Sequence, residues 1–105
     1  MEFPNDADGD ALKRMAQSGF DFTKESDVDF NIDFDHWPVS EAEYNYIKGL
    51  YPDCKFYESE GNGYACFQMR GLVTYKFVTS IQKMVSDEVR KVGGICESWG
   101  VLQGQ

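Results

Sequence analysis

Tyr64-Ala65-Cys66-Phe67-Gln68-Met69, then residues 75–92, then Gly94-Ile95-Cys96-Glu97-Ser98-Trp99: these three consecutive stretches decide the fold. The first reads as a strand, the second as a helix and the third as a strand. Within the helix, Phe77, Val78, Ile81, Met84, Val85, Val89 and Val92 recur at spacings of three and four. At about 3.6 residues per turn they line up as one apolar stripe, with Lys83, Asp87, Arg90 and Lys91 opposite. Glu88 falls within the stripe and is expected at its edge. Thr74 is placed to cap the helix and Gly93-Gly94 to end it. A helix of this length can cover a small sheet by itself.

The rest of the chain supplies that sheet. Residues 28–34 alternate strictly: Val28, Phe30, Ile32 and Phe34 point one way, and Asp29, Asn31 and Asp33 the other. Period two is the mark of a half-buried strand. His36-Trp37-Pro38 is a connection, and Ser40 with Glu43 forms a capping box for a helix over residues 41–51. That helix is expected to bury Tyr44, Ile47 and Tyr51, and Pro52 ends it. Residues 54–59 read as a further strand, joined to the strand at 64–69 by an Asn62-Gly63 hairpin turn. A tight turn there pairs Phe56 with Met69 and Tyr57 with Gln68. Phe56, Phe67 and Met69 then share one face, and Lys55, Tyr57, Tyr64, Cys66, Gln68 and Arg70 the other. In the last strand the sequence leaves open whether Ile95, Glu97 and Trp99 or Cys96 and Ser98 are buried. Ahead of all this, Asp8-Gly9-Asp10 leads into a short helix over residues 11–18, with a linker at 20–27. The tail, 101–105, reads as frayed.

The order is a leading helix followed by βαββαβ, which is the ferredoxin-like arrangement of an α+β fold. Right-handed crossovers place both main helices on one face of a four-stranded antiparallel sheet. The other face is open, or covered by the leading helix or a partner. We expect a single domain over residues 1–105, with helix and linker at 1–27 and the core at 28–100.

Composition narrows the function. At 105 residues the chain can build a modest core, and 42% hydrophobic and 15% aromatic residues are too many for a disordered tail. A net charge of -8 argues against free nucleic acid as ligand, since phosphate binding needs a basic footprint. It is compatible with a basic protein partner or with simple solubility, and a solvated acidic surface is the commoner case. No apolar run reaches the roughly 20 residues of a membrane span, and the start is unlike a signal peptide. Cys54, Cys66 and Cys96 have no paired spacing and read as reduced, largely buried thiols of a cytoplasmic protein.

No catalytic constellation emerges. Asp6, Asp8 and Asp10 suggest a calcium loop, but Ala11 and Gln17 stand where that loop needs Gly and Glu. His36 is the single histidine, and nothing places a nucleophile beside it. There is no phosphate-binding glycine loop; no metal and no cofactor are expected. Gly63-Tyr64-Ala65 matches part of the third-strand motif of RNA-recognition domains. However, Asn62 replaces the basic residue, Cys66 the second aromatic, and Asp29, Asn31 and Asp33 occupy the open face of the first strand. A single-strand RNA platform around Tyr64 is therefore the second reading. A small-molecule site near His36 and Trp37 is the third.

Asn5-Asp6-Ala7-Asp8-Gly9-Asp10-Ala11-Leu12, then Met15, Gly19, Asp21 and Val28-Asp29-Phe30, resemble the opening of the regulator of ribonuclease activity B family. Met69, Val73-Thr74, the long helix, Gly93-Gly94 and Trp99-Gly100 resemble its closing half. The resemblance implies a small acidic cytoplasmic bacterial protein with a ferredoxin-like sandwich. It also implies a non-catalytic role: binding an endoribonuclease of the RNase E type and restraining it, which alters RNA decay. Members of that family often carry an acidic C-terminal tail. The chain ends at Gln105, so weaker nuclease binding, or a different partner, is expected if that tail contributes. From the residues themselves we expect the partner, an RNase E-type endoribonuclease or another basic RNA-processing protein, to meet Asp29, Asn31, Asp33, Tyr57 and Tyr64. Asp6, Asp8 and Asp10 are expected to help. The protein is expected to be a monomer or weak homodimer with no direct nucleic-acid ligand.

Overall fold

The alternation of Val28, Phe30 and Ile32 with Asp29, Asn31 and Asp33 runs through the middle of the structure, a computed structural model that describes residues 3–101. The strand that carries it, β1, spans Glu25–Phe34. It starts before the alternation does, because Glu25, Ser26 and Asp27 pair with Leu72, Gly71 and Arg70 on the neighbouring strand. Backbone pairing extends the strand where the side chains give no pattern. Val28, Phe30 and Ile32 are fully buried.

The leading helix, α1, is Ala7–Gln17, longer at its start than the sequence suggests. Asp6 is the cap, its Oδ1 accepting from the Gly9 amide at 2.8 Å, so Asp8 and Asp10 lie in the first turn, at the positive end of the helix dipole. Gly9 has a packing role there: a Cβ would lie 1.7 Å from the Pro4 carbonyl oxygen.

The second helix, α2, is Glu41–Leu50, opened by the expected capping box between Ser40 and Glu43. Ile47 is buried. Tyr44 is not: it is 42% exposed and rests its ring on Phe56 at 4.7 Å. The inward position goes to Tyr46, whose hydroxyl donates to the Glu88 carbonyl at 2.8 Å. Tyr51 stacks on Phe67 at 4.4 Å. These contacts rotate α2 so that Tyr44 falls at its rim.

Strands β2, Lys55–Ser59, and β3, Asn62–Leu72, form a hairpin. The turn residues are Glu60 and Gly61, with φ of 54° and 81°, rather than Asn62-Gly63. Two successive positive φ values are what a type I′ turn requires. Tyr57 therefore pairs with Tyr64 and Phe56 with Ala65, not with Gln68 and Met69. The slip is an even number of residues, so every side chain keeps its predicted face. Gly63 sits inside β3 under the Trp37 ring, where a Cβ would come within 2.2 Å.

The long helix, α3, is Tyr75–Val89, followed by a 3-10 turn at Arg90–Val92. Thr74 caps it, accepting from the Phe77 amide at 3.0 Å, and Gly93 ends it at a φ of 74°. Val78, Val85 and Val89 are buried, whereas Met84 from the predicted stripe is exposed. Gln82 is buried instead; its amide donates to the Val78 carbonyl and to Asp8 of α1. The docking of α1 against α3 widens the buried side of α3 toward Gln82 and away from Met84. Glu88 lies at the edge as expected, accepting from the Tyr51 hydroxyl at 2.9 Å.

The last strand, β4, is Gly94–Val101. Asp33 pairs with Ile95 but Asn31 with Ser98, a bulge that adds one residue on β4. The bulge reverses the alternation midway. Cys96 before it and Trp99 after it both face the helices, so neither alternating set is buried as a whole. Val101 pairs with Val28 rather than fraying; residues 102–105 lie outside the described residues.

The sheet order is β2-β3-β1-β4 with every pair antiparallel, the ferredoxin-like α+β arrangement. All three helices cover one face. Leu12 and Met15 of α1 join the same core as Ile47, Val78 and Val85. The leading helix thus packs beside α3, and the other face of the sheet is left uncovered by the described residues.

Candidate functional site

The side chains on the uncovered face form rungs across the strands. One rung is Tyr57, Tyr64, Asp33 and Ile95, and the next is Lys55, Cys66, Asn31 and Ser98. Beyond these, Gln68 faces Asp29 and Arg70 faces Asp27. β1 alone contributes Glu25, Asp27, Asp29 and Asp33 and no cation.

Most of these groups are tied across the strands. Gln68 Nε2 donates to Asp29 at 2.7 Å, Asn31 Nδ2 donates to the Ser98 hydroxyl at 3.1 Å, and Arg70 donates to Asp27 at 3.2 Å. Arg70 Nε also lies 3.7 Å from Glu25. The Tyr57 and Tyr64 rings stack at 5.3 Å with 27° between planes. A groove of about 620 Å³ on this face is lined by Asp27, Asp29, Asp53, Lys55, Tyr57 and Cys66 among others. Burial, helped by the charge of Asp29, pushes the Cys66 thiol above its ordinary pKa, so it stays neutral. Such a surface offers charge, hydrogen bonds and two aromatic faces to a partner, and no activated nucleophile.

Five of the predicted contact residues, Asp29, Asn31, Asp33, Tyr57 and Tyr64, are therefore brought together. The three acids of α1 are not. Asp8 is turned inward: its Oδ1 accepts from Trp99 Nε1 at 2.8 Å and from Gln82 Nε2 at 3.2 Å. Asp6 accepts from the Tyr75 hydroxyl at 2.6 Å, which with the Gly9 amide holds its carboxyl below the usual range. Asp10 is exposed, on the same helix. They belong to the helical layer. Sequence reasoning missed Ile95, which is 45% exposed at the end of the tyrosine rung. The sequence carried no signal for which residues of β4 turn to this face.

His36 occupies a rim position between two carboxylates, Nδ1 at 2.6 Å from Asp35 and Nε2 at 2.9 Å from Glu43. Those hydrogen bonds, Asp35 first, raise its pKa. Both ring nitrogens are engaged by carboxylates, so neither faces a nucleophile. Trp37 donates to Glu58 and covers Gly63 on the helical side, the opposite face from the tyrosine pair. Cys54 and Cys96 are buried free thiols, with burial pushing Cys96 up to about 12. Among the described residues no group of three or more His, Cys, Asp or Glu is arranged to hold a metal ion, and no helix is long and apolar enough to cross a membrane.

No curated protein and no solved structure matches the chain. A family model does: over residues 5–101, from the acidic entry of α1 to the end of β4, the chain matches the model described as regulator of ribonuclease activity B. With nearly its whole length matched, the chain belongs to the regulator of ribonuclease activity B family.

Proposed function

We propose that this protein is a non-catalytic inhibitor of an RNase E-type endoribonuclease in the bacterial cytoplasm, and that it binds the enzyme through its uncovered sheet face. The observation that carries this reading is the acidic first strand laid open beside the tyrosine pair. A ribonuclease holds RNA with basic segments, and an acidic face can occupy such a segment in place of RNA. Its field would also speed the encounter. Asp29 and Asp33 lie two rungs apart on the same face and would act together, whereas Asp6 and Asp8 support the fold.

The test is inhibition and binding of the purified endoribonuclease by wild type and by Asp29→Lys/Asp33→Lys, over a range of salt. We expect the variant to bind about tenfold more weakly at low salt, with a flatter salt dependence. Unchanged affinity would sink the surface assignment. The exposed tyrosine pair also favours a second reading, stacking of single-stranded RNA. On that reading Tyr64→Ala would cost about 1–3 kcal/mol of RNA binding, and no RNA binding at low salt would end it.

A further inference from the structure

We propose that the rung of Tyr57, Tyr64, Asp33 and Ile95 is an arginine-selective docking site. In it a guanidinium from the partner lies over the tyrosine pair with one edge against the Asp33 carboxylate. This rests on the reading that the partner is a basic protein, and adds which basic side chain it presents and where.

The rung differs from the rest of the face. Asp27 and Asp29 already have donors in Arg70 and Gln68. Among the described residues, Asp33 has no hydrogen-bonding or ion-pairing side chain. Directly opposite it on β3 is Tyr64, 37% exposed, stacked in turn on Tyr57, 45% exposed. On its other side is the exposed Ile95. A free carboxylate is thus set between an aromatic surface and an aliphatic one.

Lysine fits such a place poorly. Its ammonium is compact and strongly hydrated, and would find only the charge. Arginine is planar and more weakly hydrated; it can stack on a tyrosine while its edge donates two parallel hydrogen bonds to a carboxylate. Adjacent strands lie about 5 Å apart, so one guanidinium and its methylene stem can span ring, carboxylate and Ile95 together. A nucleobase could stack on the same tyrosines, but its phosphates would meet Asp33 and then Asp29.

The test compares fluorescent hexa-arginine and hexa-lysine peptides by anisotropy at about 150 mM salt, where distant charges are screened. Wild type, Asp33→Asn, Tyr57→Leu/Tyr64→Leu and Tyr57→Phe/Tyr64→Phe are each checked for folding by circular dichroism. We expect wild type to prefer hexa-arginine about fivefold. The preference should vanish in Asp33→Asn and in the double leucine variant, and persist in the double phenylalanine variant, which keeps the rings. Equal binding of the two peptides, or of neither, overturns the proposal, as does a preference that survives loss of the carboxylate or the rings. Tighter binding of an oligouridylate than of hexa-arginine overturns it in favour of RNA. Ribonuclease inhibition is scored separately. Inhibition without arginine preference refutes this site alone, and arginine preference without inhibition refutes the ribonuclease reading alone.

Discussion

The two faces of β1 share one backbone and serve opposite ends. On one, Val28, Phe30 and Ile32 lie under three helices, fully buried, with Phe30 stacked on Phe67 at 5.7 Å. On the other, Asp27, Asp29 and Asp33 face outward, with no layer above them among the described residues. The first face holds its energy in apolar area removed from water, which is large and independent of salt. The second holds little stability, because exposed cross-strand pairs are worth a fraction of a kcal/mol each. Its carboxylates are therefore free to be selected for a partner. Substitutions should divide accordingly, stability on one side and binding on the other.

The largest expected effect tests that division directly. Phe30→Ala should lower unfolding free energy by about 3–5 kcal/mol in urea titration, the usual cost of truncating a buried aromatic. Asp29→Asn, one residue away on the open face, should change it by no more than about 0.5 kcal/mol. Comparable losses from both would break the comparison.

Asp8 sharpens it, because it is an acid that belongs with the buried face. Asp8→Ala removes the acceptor of Trp99 and one of the two acceptors of Gln82. We expect a loss of about 1–2 kcal/mol and a shift in Trp99 fluorescence, with ribonuclease affinity of the folded protein unchanged. Reduced affinity at full stability would return Asp8 to the contact surface.

The smallest effect concerns His36. Its folded pKa is raised from 6.5 by Asp35 and Glu43. The stabilisation is fully present below the unfolded value and lost as pH rises through the raised folded value. The urea midpoint of wild type should thus drift down slightly as pH rises from 6.5 through the raised folded value, and that of His36→Ala should lack this drift. Because the ring is exposed, the drift is small. A midpoint rising over that range would reverse the assignment.

Much of this arrangement was legible in the chain. The strict alternation of β1, the capping box of α2, the cap and stripe of α3, and the element order are local patterns. Each is imposed by a period or a hydrogen bond within a few residues, which is why the fold and five members of the candidate site could be read. The hairpin register was misread, yet the faces survived, because a slip by an even number preserves the side of every residue. The errors in Tyr44 and Met84 share a cause: a helix's apolar stripe fixes its buried side only to within a turn of rotation, and neighbouring elements choose the final angle. Here Tyr46 and Gln82 made that choice through Glu88 and Asp8.

By itself, then, the sequence determined the layers, the strand faces and the acidic character of the uncovered side, since periodicity and charge are properties of neighbours along the chain. Only the tertiary structure decided the rest. The bulge in β4 turned Cys96 and Trp99 to the same side, and strand pairing set Ile95 beside Asp33. The docking of α1 on α3 drew Asp6 and Asp8 into the helical layer and left the far side of the sheet open. Both depend on contacts between residues far apart in sequence, such as Trp99 with Asp8, whose pairing no local pattern records.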